Sequence, residues 1–97
     1  MFKLIVAILP KGKTKAIMPA VKDVGIFGAT MLSGKGLCAK EGNRVLGYRI
    51  GSSREILILL TLGANKEKII EVLVKRGNLK IPGEGILFVM DISQIIG

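Results

Sequence analysis

Apolar residues in this chain follow two rhythms, and each change of rhythm marks a change of element. Residues 4–9, Leu-Ile-Val-Ala-Ile-Leu, form an unbroken, β-branched-rich run stopped by Pro10-Lys11-Gly12, which predicts a buried strand. From Thr14 the period changes: Ile17, Ala20, Val21 and Val24 recur at helical spacing with Lys15, Lys22 and Asp23 between them, and Gly25 supplies a stop. Pro19 falls inside this pattern and predicts a kink. Residues 26–32 read as a second strand, weakened by Gly28, and residues 56–62 as a third. Asn65 is the expected N-cap of a second helix that runs to Arg76 and is closed by Gly77, with Ile69, Ile70, Val72, Leu73 and Val74 on its core face. After the turn Ile81-Pro82-Gly83-Glu84-Gly85, residues 86–90 complete a fourth strand.

The resulting order, βαββαβ, predicts an α+β, ferredoxin-like sandwich: an antiparallel four-stranded sheet with two helices on one face, formed as a single domain over residues 1–97. The strands are near-continuous apolar runs, a pattern that belongs to sheets buried on both faces. Two helices cover one face only. The other therefore needs a cover from outside the chain, and self-association is the economical one.

Composition narrows the chemistry. At 97 residues, 49% hydrophobic and 23% charged, the chain has the balance of a folded domain with a single core. It has no His and one Cys, Cys38, which excludes zinc sites of the Cys/His type and any Ser-His or Cys-His catalytic pair. The carboxylates Asp23, Glu41, Glu55, Glu67, Glu71, Glu84 and Asp91 show no acid/base spacing, so neither a metal site nor an enzyme is expected. A lone Cys makes no internal disulfide, which favours a cytoplasmic location. The apolar runs fall well short of the roughly 20 residues that a membrane-spanning helix requires.

Fifteen Lys and Arg against seven Asp and Glu give a net charge of +8, which points to an anionic partner. Half of that excess lies between residues 34 and 54, where Lys35, Lys40, Arg44, Arg49 and Arg54 face only Glu41. Hairpin loops usually take about two to five residues, so a connection this long marks a functional loop. Lys40, Arg44, Tyr48, Arg49 and Arg54 are its candidate partner-binding residues.

Three constellations carry candidate chemistry. Gly28 to Lys35 misses the P-loop pattern by one residue and by Gly36 in place of its Ser or Thr, but Ser33-Gly34-Lys35-Gly36 as a loop would offer backbone N–H groups and a cation to a phosphate. Gly83-Glu84-Gly85 precedes the last strand, where two glycines allow close backbone approach to an anion. Nucleic acid is disfavoured: of the aromatics Phe2, Phe27, Tyr48 and Phe88, only Tyr48 lies away from a strand to serve as a stacking platform. An acylphosphatase-like enzyme would share the strand order, but Pro10-Lys11-Gly12-Lys13 and an apolar third strand lack the Arg and Asn that such chemistry uses.

Taken end to end, the chain resembles the P-II family of nitrogen-regulatory signalling proteins, in particular its short, divergent members. Residues 3–10, Lys-Leu-Ile-Val-Ala-Ile-Leu-Pro, look like the family's opening strand, and Gly25-Ile26-Phe27-Gly28-Ala29-Thr30 is similar to its Gly-Ile-x-Gly-x-Thr segment. Lys35-Gly36 resembles the base of its long T-loop, and residues 81–89, Ile-Pro-Gly-Glu-Gly-Ile-Leu-Phe-Val, look like its B-loop.

The resemblance implies a homotrimer that binds an adenine nucleotide in clefts between subunits and regulates a protein target, such as a membrane transporter or metabolic enzyme, through the T-loop. Carried over by position, Gly28 and Thr30 would line the nucleotide site, Leu60 would contact the base, Lys35 and Gly36 would lie at the phosphates, and Gly83, Glu84 and Gly85 would form the phosphate-facing turn. Ile86 stands where the family B-loop carries a Lys, which favours AMP or ADP over ATP, and Lys40 replaces the Gln that contacts 2-oxoglutarate. Tyr48 falls at the family's modification sequence. A CutA-type metal-tolerance trimer is the alternative within the fold, disfavoured by the missing His, and a basic RNA-binding module is the alternative outside it.

Overall fold

A computed structural model of the chain describes residues 1–36, 44–45, 48–49 and 52–97. Its elements are β1 (Phe2–Pro10), α1 (Lys13–Val24), β2 (Gly28–Gly36), β3 (Arg44–Val45), β4 (Tyr48–Arg49), β5 (Ser52–Leu62), a 3-10 turn (Gly63–Asn65), α2 (Lys66–Arg76) and β6 (Ile86–Asp91). The protein is α+β, with a four-stranded antiparallel sheet ordered β2-β5-β1-β6 and two helices, an arrangement compatible with a ferredoxin-like fold. β3 and β4 pair apart from this sheet, Arg44 opposite Arg49 and Val45 opposite Tyr48.

The strands at the loop end are longer than the apolar pattern predicts. β2 continues to Gly36 and β5 begins at Ser52, with Ser33 opposite Glu55, Gly34 opposite Arg54, Lys35 opposite Ser53 and Gly36 opposite Ser52. Hydrophobic patterning reports burial, whereas ladder pairing needs only backbone groups, so polar residues extend the ribbon unseen. The segment Ser33-Gly34-Lys35-Gly36 is thus strand and not loop, and alternate N–H groups are committed to the ladder with β5.

The helix ends also depart from expectation. Asn65 does not cap α2: it has helical dihedrals and no capping bond, and its side-chain amide reaches the Gly25 carbonyl at 3.5 Å. The 3-10 turn delivers the chain into α2 in place of a cap, anchored by the Gly63 N–H donating to the Met1 carbonyl at 2.7 Å. Glu67 in the first turn and Lys75 and Arg76 in the last complement the helix dipole. At the other end the left-handed residue is Asn78, with φ of 54°, and not Gly77. α1 is continuous across Pro19.

Strand alternation sorts the sheet into two faces. Ile5, Ala7 and Leu9 of β1 and Leu57 and Leu59 of β5 share one face, where they pack with Ile17 and Val21 of α1 and Ile69 and Leu73 of α2 into the core. Buried Thr61 closes this layer, its hydroxyl donating to the Gly25 carbonyl at 3.2 Å. The opposite face is built of cross-strand rows: Gly28, Leu60, Leu4 and Met90; then Thr30, Ile58, Val6 and Phe88; then Leu32, Ile56, Ile8 and Ile86. No helix covers it. Leu32, Phe88 and Met90 there are 49%, 42% and 45% exposed, although every row is apolar except for Gly28 and Thr30.

Candidate functional site

The next row on the open face holds Gly34, Arg54 and Pro10, and Arg54 is its working member. Its guanidinium donates from Nη1 to the Glu84 carbonyl at 3.2 Å and from Nη2 to the Gly83 carbonyl at 3.4 Å, tying the 83–85 turn to the base of the β2–β5 ribbon. The turn suits this attachment. Gly83 has φ of 88°, which disfavours any side chain, and a Cβ at Gly85 would run into the Ile8 carbonyl oxygen. The Glu84 N–H closes the turn on the Ile81 carbonyl at 3.2 Å.

On the helix side of the same end, Ser33 lies opposite Glu55, and Lys35 opposite Ser53. The Glu55 carboxylate accepts the backbone N–H groups of Gly12 and Thr14, the latter at 3.1 Å, so it serves as the anion at the start of α1. These bonds, the one from Gly12 foremost, hold its pKa below the usual carboxylate value against the opposing effect of burial, with further help from Lys11. Beside it a hollow of about 330 Å³ is lined by Lys11, Ser33, Gly34, Lys35, Ser53 and Arg54. A larger hollow of about 620 Å³ lies between α2 and residues 78–81. Its charges are mixed, Glu67 and Glu71 against Lys75 and Lys80, and it contains none of the candidate nucleotide- or partner-binding residues, although Ile70 and Val74, expected on the core face of α2, line it.

The positions singled out from the sequence fall at two ends of the sheet. Gly28 and Leu60 are direct partners at one end, and Thr30 lies opposite Ile58 in the middle. Lys35 and Gly36 sit at the other end, as do Arg54 and the turn at Gly83, Glu84 and Gly85. Seven residues of strand separate Gly28 from Lys35, which is roughly 23 Å. One chain does not bring them into a single pocket. Lys40 lies outside the described residues, and Arg44, Tyr48 and Arg49 are placed in β3 and β4 by backbone alone.

Sequence reasoning missed three contributors. Lys11 sits in the β1–α1 turn and enters the smaller hollow through tertiary position, and Ser53 joins it through register with Lys35. Phe27, read as part of a strand, instead precedes β2 and is 67% exposed, its ring edge-on to Phe2 at 4.7 Å beside the Gly28–Leu60 pair. The Gly-Ile-Phe-Gly context was the only available signal for this aromatic.

No protein-family model matches the sequence, and no curated protein is significantly similar to it. Among the described residues no group of three or more acidic or Cys side chains is placed to hold a metal, and no helix is long and apolar enough to cross a membrane.

Proposed function

We propose that this chain is a P-II-like regulatory protein with the ferredoxin-like fold, working in the cytoplasm as a homotrimer. Three copies would bring their open apolar faces together, which removes the exposed rows from water. Clefts between copies would then join the two separated ends of the site, so that Gly28, Thr30 and Leu60 of one copy meet a neighbour's Lys35, Gly36 and 83–85 turn. The ligand is an adenine nucleotide, with AMP or ADP favoured over ATP because Ile86 supplies no phosphate-binding cation. Phe27, exposed beside Gly28, offers the base an aromatic face.

The observation that carries this reading is the pair of bonds from Arg54 to the carbonyls of Gly83 and Glu84. It makes one mechanical unit of the phosphate-facing turn and the ribbon leading into the charged loop. Occupancy at the turn would shift the population of loop conformations, and the basic loop would engage or release a protein target such as a membrane transporter. The role is binding, not catalysis.

Thermal-shift and calorimetric titration with AMP, ADP, ATP, cyclic dinucleotides and 2-oxoglutarate tests it directly. An adenine nucleotide at a hundredfold excess over its Kd stabilises the fold by about 2.7 kcal/mol. Absence of stabilisation by every nucleotide would remove the sensor reading, and tight, steeply salt-dependent RNA binding would replace it with a nucleic-acid module.

A further inference from the structure

Among the described residues, the smaller hollow collects cations and hydroxyls and no acid lines it. We propose that it is a phosphate-binding site on the helix side of the sheet, which shares Lys35 with the cleft between copies but is otherwise built from residues outside it, Lys11, Ser33 and Ser53. Lys11 reaches it from the β1–α1 turn, Ser33 and Lys35 from β2 and Ser53 from β5. Alternation places residues 33, 35 and 53 on the same side of the ribbon as Glu55, the side from which α1 starts.

Charge balance favours an anion there. The Glu55 carboxylate, in the same row as Ser33, is engaged by the Gly12 and Thr14 N–H groups, so it offsets at most one of the two lysines while remaining bonded to the start of α1. No ion pair among the described residues neutralises Lys11 or Lys35. Arg54 contributes positive potential, but its guanidinium is already bonded to the 83–84 carbonyls and is not needed as a contact.

Size and donor set select the ligand class. About 330 Å³ is near the lower bound of small-molecule pockets, room for a phosphate group and part of a small ester that carries it. Two ammonium groups and two hydroxyls make up the donor set of the lining, and a phosphate dianion has the oxygens to accept from all of them. A carboxylate offers two oxygens and a single charge, leaving part of the set unused. The phosphate comes either from free inorganic phosphate or from a monoester such as AMP.

The test is titration of the full chain with inorganic phosphate at constant ionic strength, followed by calorimetry and phosphorus NMR. Saturable binding is expected, weakened about tenfold by Lys11→Ala or Lys35→Ala and about threefold by Ser33→Ala, which changes no charge. Lys68→Ala, an equal charge change on the exposed surface of α2, is expected to leave it unaltered. Lack of saturable binding, or equal weakening by Lys68→Ala and Lys11→Ala, would overturn the site. If Lys11→Ala fails to fold by circular dichroism, Lys11→Gln and Ser33→Ala carry the test. Competition between AMP and phosphate that Lys11→Ala and Ser33→Ala both weaken identifies a monoester as ligand, simultaneous binding identifies the free ion, and competition that neither variant alters assigns the phosphate to the cleft and overturns the site. Lys11 and Ser33 lie outside the nucleotide positions proposed above, so each reading fails on its own variants.

Discussion

The two faces of the sheet are made by the same strands and end in different states. On one, Ile5, Ala7, Leu57 and Leu59 are buried by α1 and α2. On the other, equally apolar rows centred on Val6 and Ile58 have no cover among the described residues, and of their side chains only Val6, hemmed in by its neighbours, falls to 9% exposure. Apolar content is therefore a poor guide to what a strand packs against. The closed face forms the core of one copy, and the open face leaves apolar rows exposed, which is what the proposed assembly would cover.

Mutations that separate these roles follow in order of expected effect. Leu59→Ala, on the closed face, removes a fully buried side chain and should cost about 2–5 kcal/mol in denaturant unfolding. A loss well under 1 kcal/mol would show that this layer is not the core. Ile58→Glu, one residue away on the open face, should leave a folded chain but reduce the mass seen by light scattering from trimer to monomer. An unchanged mass, or a native chain already monomeric, breaks the comparison.

A milder change concerns the polar end of the closed face. Glu55→Gln keeps a hydrogen-bond acceptor but removes the charge at the start of α1, and should cost about 1 kcal/mol. Because the folded state holds the Glu55 pKa down, its contribution is present above the ordinary carboxylate value and fades as pH falls through the lower folded value. Acid unfolding of Glu55→Gln should accordingly be flatter than that of the native chain below about pH 4.5. The smallest effect is expected from Asp91→Asn. Asp91 pairs with Lys3 across β1 and β6, which lowers its pKa, but its carboxylate stands in solvent, and the melting midpoint should not move at moderate salt.

What could be read from the sequence follows the same division. The six main elements and the core residues Ile17, Val21, Ile69 and Leu73 were legible because burial against one neighbour leaves a periodic signature. The apolar second face was legible too, from strands without alternation. The extension of β2 and β5 through Ser33–Gly36 and Ser52–Glu55 was not, since ladder bonds are made by backbone and leave no mark on side-chain polarity. Asn65 illustrates a local competition: its amide serves Gly25 across the fold instead of capping its own helix. At the site, Gly83 and Gly85 declared themselves by composition, whereas Lys11 and Ser53 become neighbours of Lys35 only through tertiary position and strand register.

The ribbon extension makes the base of the charged loop a lever. Beyond β1, whose last residue Pro10 pairs with Arg54, two paired residues of β2, Lys35 and Gly36, project for about 7 Å, so a tilt of about ten degrees at their root carries the far end through about 1 Å. Arg54 grips this lever near its fulcrum and joins it to the 83–85 turn. A displacement there too small to disturb the core is enlarged at the tip, where a partner would feel it as a change of reach.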